Sequence, residues 1–374
     1  MAAILMINVP YAGHTNPTLP LAEALVQHGH KVSYINAEEF RNIIENTGAE
    51  FIPYQNYPTL PTEQQKKTRC FRSAFDTAIS LERKFDLLIY EMFFYPGIKI
   101  AEILGIPCVR QFSQPAWNQK TMSDATWFFK LSCVLIDLQV MGKKNAEYMK
   151  LTHKSLAEAV INDKPSFNIV YVPQIFQANG ESFGKEYLFT VSMSENNLKS
   201  QHIPYEDMKS PILYISLGSI ISNKGFCKEC IRAFGGKDMS VILNMGKIRP
   251  ETLGKIPGNI YAYSFVPQFE VLQHADIFLT HCGMNSVNEA MNYGVPMVAM
   301  PFINDQISNA KRIVELGIGK RVRSFPSSGR QLYKTVNDVY SDGHIRARSI
   351  EVQNLIKGDT TINKVVSRIE GLLT

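Results

Sequence analysis

The apolar positions of this chain fall in short continuous runs, and stretches with helical period lie between them. Ala3 to Val9 (AILMINV) is the first run, and its unbroken apolar character predicts a strand covered on both faces. After the loop Pro10-Tyr11-Ala12-Gly13-His14-Thr15, a helix is predicted from Pro17 to about His28, with Asn16 as N-cap and Pro17 as first helical residue. Lys31 to Asn36 then reads as a strand, Glu38 to Asn46 as a helix and Ala49 to Pro53 as a strand. From Tyr54 to about Arg72 the pattern lapses into prolines, glutamines and the basic cluster Lys66, Lys67, Arg69 and Arg72, so a long loop is expected there. A helical period resumes over Ser73 to Lys84, followed by a strand at Phe85 to Tyr90, a helix at Pro96 to Leu104 closed by Gly105, and a strand at Ile106 to Phe112. Residues 115–165 hold aromatic-rich helices without clear strand signals, Trp117, Trp127, Phe128 and Phe129 among them.

A polar stretch, Ser194 to Ser210, reads as a linker, beyond which the alternation restarts. Pro211 to Leu217 (PILYISL) is a strand ending in the turn Gly218-Ser219, then come a helix near Phe226 to Phe234 and strands at Met239 to Asn244, Tyr261 to Phe265, Ile277 to Thr280 and Met297 to Met300. Strands alternating with helices of ordinary length predict an α/β protein with parallel sheets and right-handed crossovers. Two such halves are expected, residues 1–195 and 211–374, joined by 196–210 and facing each other across a cleft, with the last helix able to pack back on the first half.

One joint in the second half concentrates polar groups. In residues 265–306 a buried strand runs into the turn His281-Cys282-Gly283 and then into a helix from Met284 to Tyr293, closed by Gly294 and Pro296. A helix start leaves backbone N–H groups pointing outward, and these donors together with the helix dipole favour a phosphate. Gly283 lets the backbone approach, Asn285 and Ser286 add side-chain donors, and His281 sits at the strand's carboxyl end. Glu289 follows Asn285 by one turn, on the same helical face.

Composition narrows the class. The 374 residues are 45% hydrophobic and 20% charged, which suits a globular protein of two or three domains. A net charge of +5 spread along the chain gives no basic face for nucleic acid. No apolar run approaches the roughly 20 residues of a membrane helix, and the first residues lack a basic start, so a cytoplasmic protein without stable membrane insertion is expected. The six cysteines read as reduced, small hydrophobes. Cys227-x-x-Cys230 has no second half and, on a predicted helix, reads as core rather than metal or redox chemistry.

The set His281-x-Gly283-x-Asn285-Ser286, Glu289, Gly294-Val295-Pro296 and Asp305-Gln306, downstream of Val266-Pro267-Gln268, resembles the donor box of family 1 nucleotide-sugar glycosyltransferases, and within them the bacterial macrolide-type enzymes. Gly13-His14-x-Asn16-Pro17 is similar to the same family's catalytic-histidine loop. The resemblance implies a GT-B fold of two Rossmann-like domains, with a UDP-sugar as donor and a small hydrophobic molecule as acceptor. It implies that His14 is the base, and the helix predicted behind it would hold the ring neutral. Glu91, at the end of the strand DLLIY, is expected to orient His14, one methylene longer than the aspartate usual in relatives. The alternative for Glu91 is a solvated carboxylate at a strand end, and for His14 a surface histidine.

On the donor side the resemblance assigns His281, Gly283, Asn285 and Ser286 to the diphosphate and Glu289 to the ribose. Phe265 stands where tryptophan usually stacks on the base, Val266 would offer backbone bonds to the base edge, and Gln268 would support the nucleoside. Asp305 and Gln306 would read the hexose, glutamine at the last position being associated with glucose, and Ser219 would face the diphosphate. No aspartate pair with one residue between occurs, so a metal on the diphosphate lacks its usual ligands and none is expected. His281 and the helix end are then expected to neutralise the leaving group. The basic cluster at 66–72 reads as solvated, and the long loop and aromatic helices as the acceptor side. Rival readings are a UDP-sugar epimerase or hydrolase on this fold and a non-catalytic nucleotide-sugar-binding protein.

Overall fold

The computed structural model describes the chain apart from positions 126, 128–129, 132, 136–153, 192–201, 219–222, 303–304, 323–326 and 360–361. Two units divide it: residues 1–194 with 360–374, and residues 195–359. The first carries strands β1 (Ala3–Ile7), β2 (Lys31–Asn36), β3 (Glu50–Pro53), β4 (Leu87–Glu91), β5 (Cys108–Phe112), β6 (Phe167–Val170) and β7 (Tyr187–Phe189), in the sheet order β3-β2-β1-β4-β5-β6-β7. The second carries β8 (Ile212–Ser216), β9 (Ser240–Asn244), β10 (Ile260–Tyr263), β11 (Ile277–Thr280), β12 (Met297–Ala299) and β13 (Gly319–Arg321), in the order β10-β9-β8-β11-β12-β13. Every strand pairing among the described residues is parallel.

Helices cover both faces of such sheets, which is why the central strands are apolar at consecutive positions. Ile4, Leu5, Met6 and Ile7 of β1 and Ile277, Phe278 and Leu279 of β11 are all fully buried. In each sheet the chain order reverses beside the first strand, between β1 and β4 and between β8 and β11. At such a reversal the neighbouring connections leave in opposite directions and a crevice opens at the strands' carboxyl ends. His14 follows β1 and Glu91 ends β4; Gly218 follows β8 and His281 follows β11.

Several expectations are corrected. The stretch read as a loop contains a helix, Glu63–Ser80. Thr62 caps it by accepting the Gln65 N–H at 3.2 Å, while the Gln65 side chain accepts the Thr62 N–H at 2.9 Å. Glutamine and lysine are good helix formers, but the apolar face that fixes the helix (Cys70, Phe71, Ala74, Phe75, Ala78) begins only at Cys70, so the first two turns showed no period. Within the basic cluster, Lys66 pairs with Glu39 at 2.7 Å and Arg72 with Asp76 at 2.7 Å. Residues 12–15 are a helical turn rather than a loop, and Asn16 is helical (φ −56°, ψ −43°), so it is not the N-cap of the helix Leu19–Gln27. Strands β6, β7 and β13 are short and were not among the expected elements, although β6 (FNIV) is an aromatic and β-branched run. Trp117 is buried outside any helix, Trp127 is exposed, and Phe128 and Phe129 lie outside the described residues.

The last helix, Ile362–Leu373, belongs to the first unit and packs on Leu19–Gln27, where Glu370 meets His28 at 3.1 Å and His30 at 3.3 Å. Cys227 and Cys230 sit in the second unit's core with Phe226, Phe234, Leu213 and Leu279. Burial pushes the Cys227 thiol up to about 11 and that of Cys230 well above its ordinary range, as befits inert core sulfurs. Among the described residues no helix is long and apolar enough to cross a membrane.

Candidate active site

Around the β1/β4 reversal, three side chains close on one another. His14 Nδ1 lies 3.0 Å from Glu91 Oε1 and 2.7 Å from Ser113 Oγ, and the Ser113 hydroxyl donates to Glu91 Oε1 at 3.1 Å. The second carboxylate oxygen, Oε2, accepts the Phe93 N–H at 2.7 Å. Glu91 is fully buried while the His14 side chain is 23% exposed, so the pair runs from the sheet interior to an accessible ring. Phe93 meets the imidazole edge-on at 4.9 Å. A carboxylate facing Nδ1 selects the tautomer with its proton on Nδ1 and the lone pair on Nε2. That state owes nothing to a helix start behind the ring. His14 lies inside the short helical turn Ala12–Thr15 and not ahead of a helix start, so no dipole end keeps its ring neutral as expected.

The β8/β11 reversal is arranged differently. Cys282 has a left-handed backbone (φ 68°), held by the Asn309 side chain, which donates to the Cys282 carbonyl at 2.9 Å. The helix Met284–Asn292 begins at Gly283 with no side chain capping it, so its first N–H groups are presented to whatever lies in front. The His281 imidazole is wedged between two glycines. A Cβ on Gly218 would stand 2.6 Å from its Cε1, and one on Gly283 2.5 Å from its Nε2. Gly218 also has a φ of 73°, which only glycine adopts without strain. Burial pushes His281 down to about 4, the Ser216 backbone opposing this in part, and Nδ1 has no hydrogen-bond partner among the described residues. His281 is therefore neutral near pH 7. In this unliganded state the ring carries no charge and is a hydrogen-bond donor or acceptor.

Behind this turn Gln268 is a brace. Its amide oxygen accepts from the Tyr214 hydroxyl at 2.9 Å, and its amide nitrogen donates to Ser286 Oγ at 3.1 Å and to the Glu289 carboxylate. Burial pushes Glu289 up to about 7, the Gln268 bond countering it in part.

A family model described as UDP-glucoronosyl and UDP-glucosyl transferase matches residues 200–358. The NDP-glycosyltransferase YjiC of Bacillus licheniformis is 31% identical over 99% of this chain and 97% of its own length. The chain belongs to this family of glycosyltransferases. Among solved structures, CalG4, the calicheamicin glycosyltransferase, superposes with a TM-score of 0.84 at 24% identity, covering 100% of this chain and 98% of its own. The glycosyltransferase of kitacinnamycin does so with a TM-score of 0.85 at 25% identity, over 100% and 99% of the two chains. The transferase therefore has the GT-B fold.

Of the other donor-side candidates in the transferase, Phe265 is 45% exposed just beyond β10, whereas Val266 is buried. Ser286 is buried and Asn285 half-buried in the first turn of the helix Met284–Asn292. Asp305 opens the helix Asp305–Glu315, and the buried Gln306 side chain accepts the Phe302 N–H at 2.9 Å. Asn309 of that helix ties it to the Cys282 turn. Ser219 lies outside the described residues. Among the described residues no group of three or more His, Cys, Asp and Glu side chains is placed to hold a metal.

The sequence reading missed Ser113 and Asn309. Ser113 directly follows β5, whose Gln111 pairs with Glu91 of β4, so the carboxyl end of the strand beside the acid was the place to look. Asn309 carried no signal, because the turn it holds is defined only by folding.

Proposed function

We propose that the transferase is an inverting, metal-independent enzyme that moves a hexose, glucose in our reading, from a UDP-sugar to a hydroxyl of a small hydrophobic acceptor such as a macrolide or phenolic natural product. The observation that carries this is the 3.0 Å contact between His14 Nδ1 and the buried Glu91, because it leaves the Nε2 lone pair as the basic atom. His14 takes the acceptor proton as the acceptor oxygen forms its bond to the anomeric carbon and the bond to the diphosphate oxygen breaks. Glu91 orients the ring and stabilises the imidazolium that results. Attack from the face opposite the diphosphate gives the β-glycoside from an α-linked donor.

On the donor side the leaving diphosphate is received by the first N–H groups of Met284–Asn292, with Asn285, Ser286 and His281 as further donors. Glu289 accepts from ribose hydroxyls, Phe265 stacks on the base with Val266 beside it, and Asp305 and Gln306 read the sugar. UDP is favoured by the family description, glucose by the association of glutamine at 306 with glucose donors, and a natural-product acceptor by the calicheamicin and kitacinnamycin enzymes. The absence of an Asp-x-Asp pair from the sequence supports metal independence.

The test is UDP release from UDP-glucose by wild type and His14→Ala, with and without a panel of macrolide and phenolic acceptors, repeated with EDTA. Acceptor-dependent release that is lost in the variant and indifferent to chelation is expected, with a β-glycoside by NMR. Release without acceptor would point to a hydrolase, and UDP binding without turnover on any donor would overturn the enzyme reading.

A further inference from the structure

We infer that Ser113 is a positioning residue of the catalytic base, so that a hydrogen-bonded triangle rather than a dyad holds His14. The inference rests on the proposed role of His14. Three atoms lie within hydrogen-bond distance of one another: His14 Nδ1 to Glu91 Oε1 at 3.0 Å, His14 Nδ1 to Ser113 Oγ at 2.7 Å, and Ser113 Oγ to Glu91 Oε1 at 3.1 Å. Two protons must serve three edges. If the imidazole carried its proton on Nε2, the Nδ1 lone pair would face a carboxylate oxygen with nothing between them, which electrostatics opposes. With the proton on Nδ1, it points between Oε1 and Oγ, and the serine hydroxyl turns its own proton to Oε1. This arrangement satisfies every edge.

Ser113 therefore does two things. It gives Nδ1–H a second acceptor, which restricts rotation of the ring. It also pins the Glu91 carboxylate, whose other oxygen is already held by the Phe93 N–H at 2.7 Å. A glutamate has one more rotatable bond than the aspartate usual in relatives, so fixing its end matters more here. Ser113 is 4% exposed and sits at the end of β5, next to the strand that ends in Glu91, so the sheet itself sets its position. It acts on the reaction only through His14 and Glu91.

The experiment compares Ser113→Ala, Ser113→Val and Ser113→Thr in the full-length enzyme, with His14→Ala and the double variant Glu91→Gln/Ser113→Ala alongside. Threonine and valine have the same shape, so their difference isolates the hydroxyl from packing. The expected result is a kcat lower by about tenfold for the alanine and valine variants, a size typical of one lost hydrogen bond to a charged group. KM for donor and acceptor should stay unchanged, and threonine should restore kcat to within about threefold of wild type. In the Glu91→Gln background Ser113→Ala should cost little more, because the triangle is already broken. If threonine fell as far as valine, or the two losses multiplied in the double variant, Ser113 would act by packing or by touching the acceptor, and the inference would be overturned. If His14→Ala kept its turnover, the proposed function would fail first, whatever the Ser113 variants did.

Discussion

At the β1/β4 reversal of the first unit the buried acid has both oxygens hydrogen-bonded, one to Phe93 and one to His14 and Ser113. At the β8/β11 reversal of the second unit the groups are only partly held, by Gln268 on Ser286 and Glu289 and by Asn309 on the Cys282 carbonyl. Among the described residues His281 Nδ1 has no hydrogen-bond partner, the half-buried Glu289 is held up at about 7 and Cys282 keeps a left-handed backbone. Both places are the same feature of a doubly wound sheet, so topology does not account for the difference. In the function proposed above, the first holds a base that must keep one protonation state and one orientation before substrate arrives, which internal hydrogen bonds provide. The second would accept a charged, many-oxygened ligand, and donors used internally would compete with it. On that proposal the base site is finished by the protein and the diphosphate site by its ligand.

The largest effect expected from breaking this contrast is on the first site. His14→Ala should lower kcat about a thousandfold while leaving UDP affinity within about twofold, measured by steady-state kinetics and calorimetry. Equal losses in both would mean that the two sites do not divide the work.

Next in size are the glycines that shape the second site. Gly218→Ala puts a Cβ 2.6 Å from the His281 ring at a φ of 73°, so UDP should bind about 10- to 100-fold more weakly. Thermal unfolding should show a loss on the order of 1–3 kcal/mol. A variant that binds UDP normally would remove His281 from the donor site.

A further effect is pH dependence. The Glu289 carboxyl lies at about 7 in the folded protein against an ordinary 4.5, so the unliganded protein loses stability on this account as pH rises between those values. Ribose hydroxyls donate to the ionised form, so UDP should bind about tenfold more tightly at pH 8 than at pH 6. Glu289→Gln should flatten that profile and raise the unliganded protein's Tm at pH 8. His281 works in the opposite sense. Its value falls from 6.5 to about 4, so its contribution is lost as pH drops through that window. The two partly cancel between pH 4.5 and 6.5, and the unliganded protein's stability should therefore change little there. The smallest effect is at Phe265, 45% exposed: Phe265→Trp should tighten UDP binding by a few-fold, about 0.5–1 kcal/mol of added stacking.

Much of this was legible in the residues. The unbroken apolar runs at Ala3 to Val9 and Pro211 to Leu217 announce parallel sheets, because a strand covered on both faces has no polar side. The spacing of Gly283, Asn285, Ser286 and Glu289 is local along one helix, and helix geometry alone puts them on one end or one face. What failed was either short or dependent on distant partners. The three-residue strands β7 and β13 exist because the neighbouring strands β6 and β12 pair with them, and the first turns of the helix Glu63–Ser80 are fixed by a cap and by a face that lies further along. Ser113 lies 99 residues from His14 in sequence and 2.7 Å from it in space, and the protonation of His281 and Glu289 follows from burial. Sequence by itself determined the longer strands and helices and which residue types stand at their ends, since those follow from contacts a few positions apart. The tertiary structure decided tautomer, charge state and which glycine clears which ring, since these depend on the solvent excluded and the groups gathered when separate strands become neighbours.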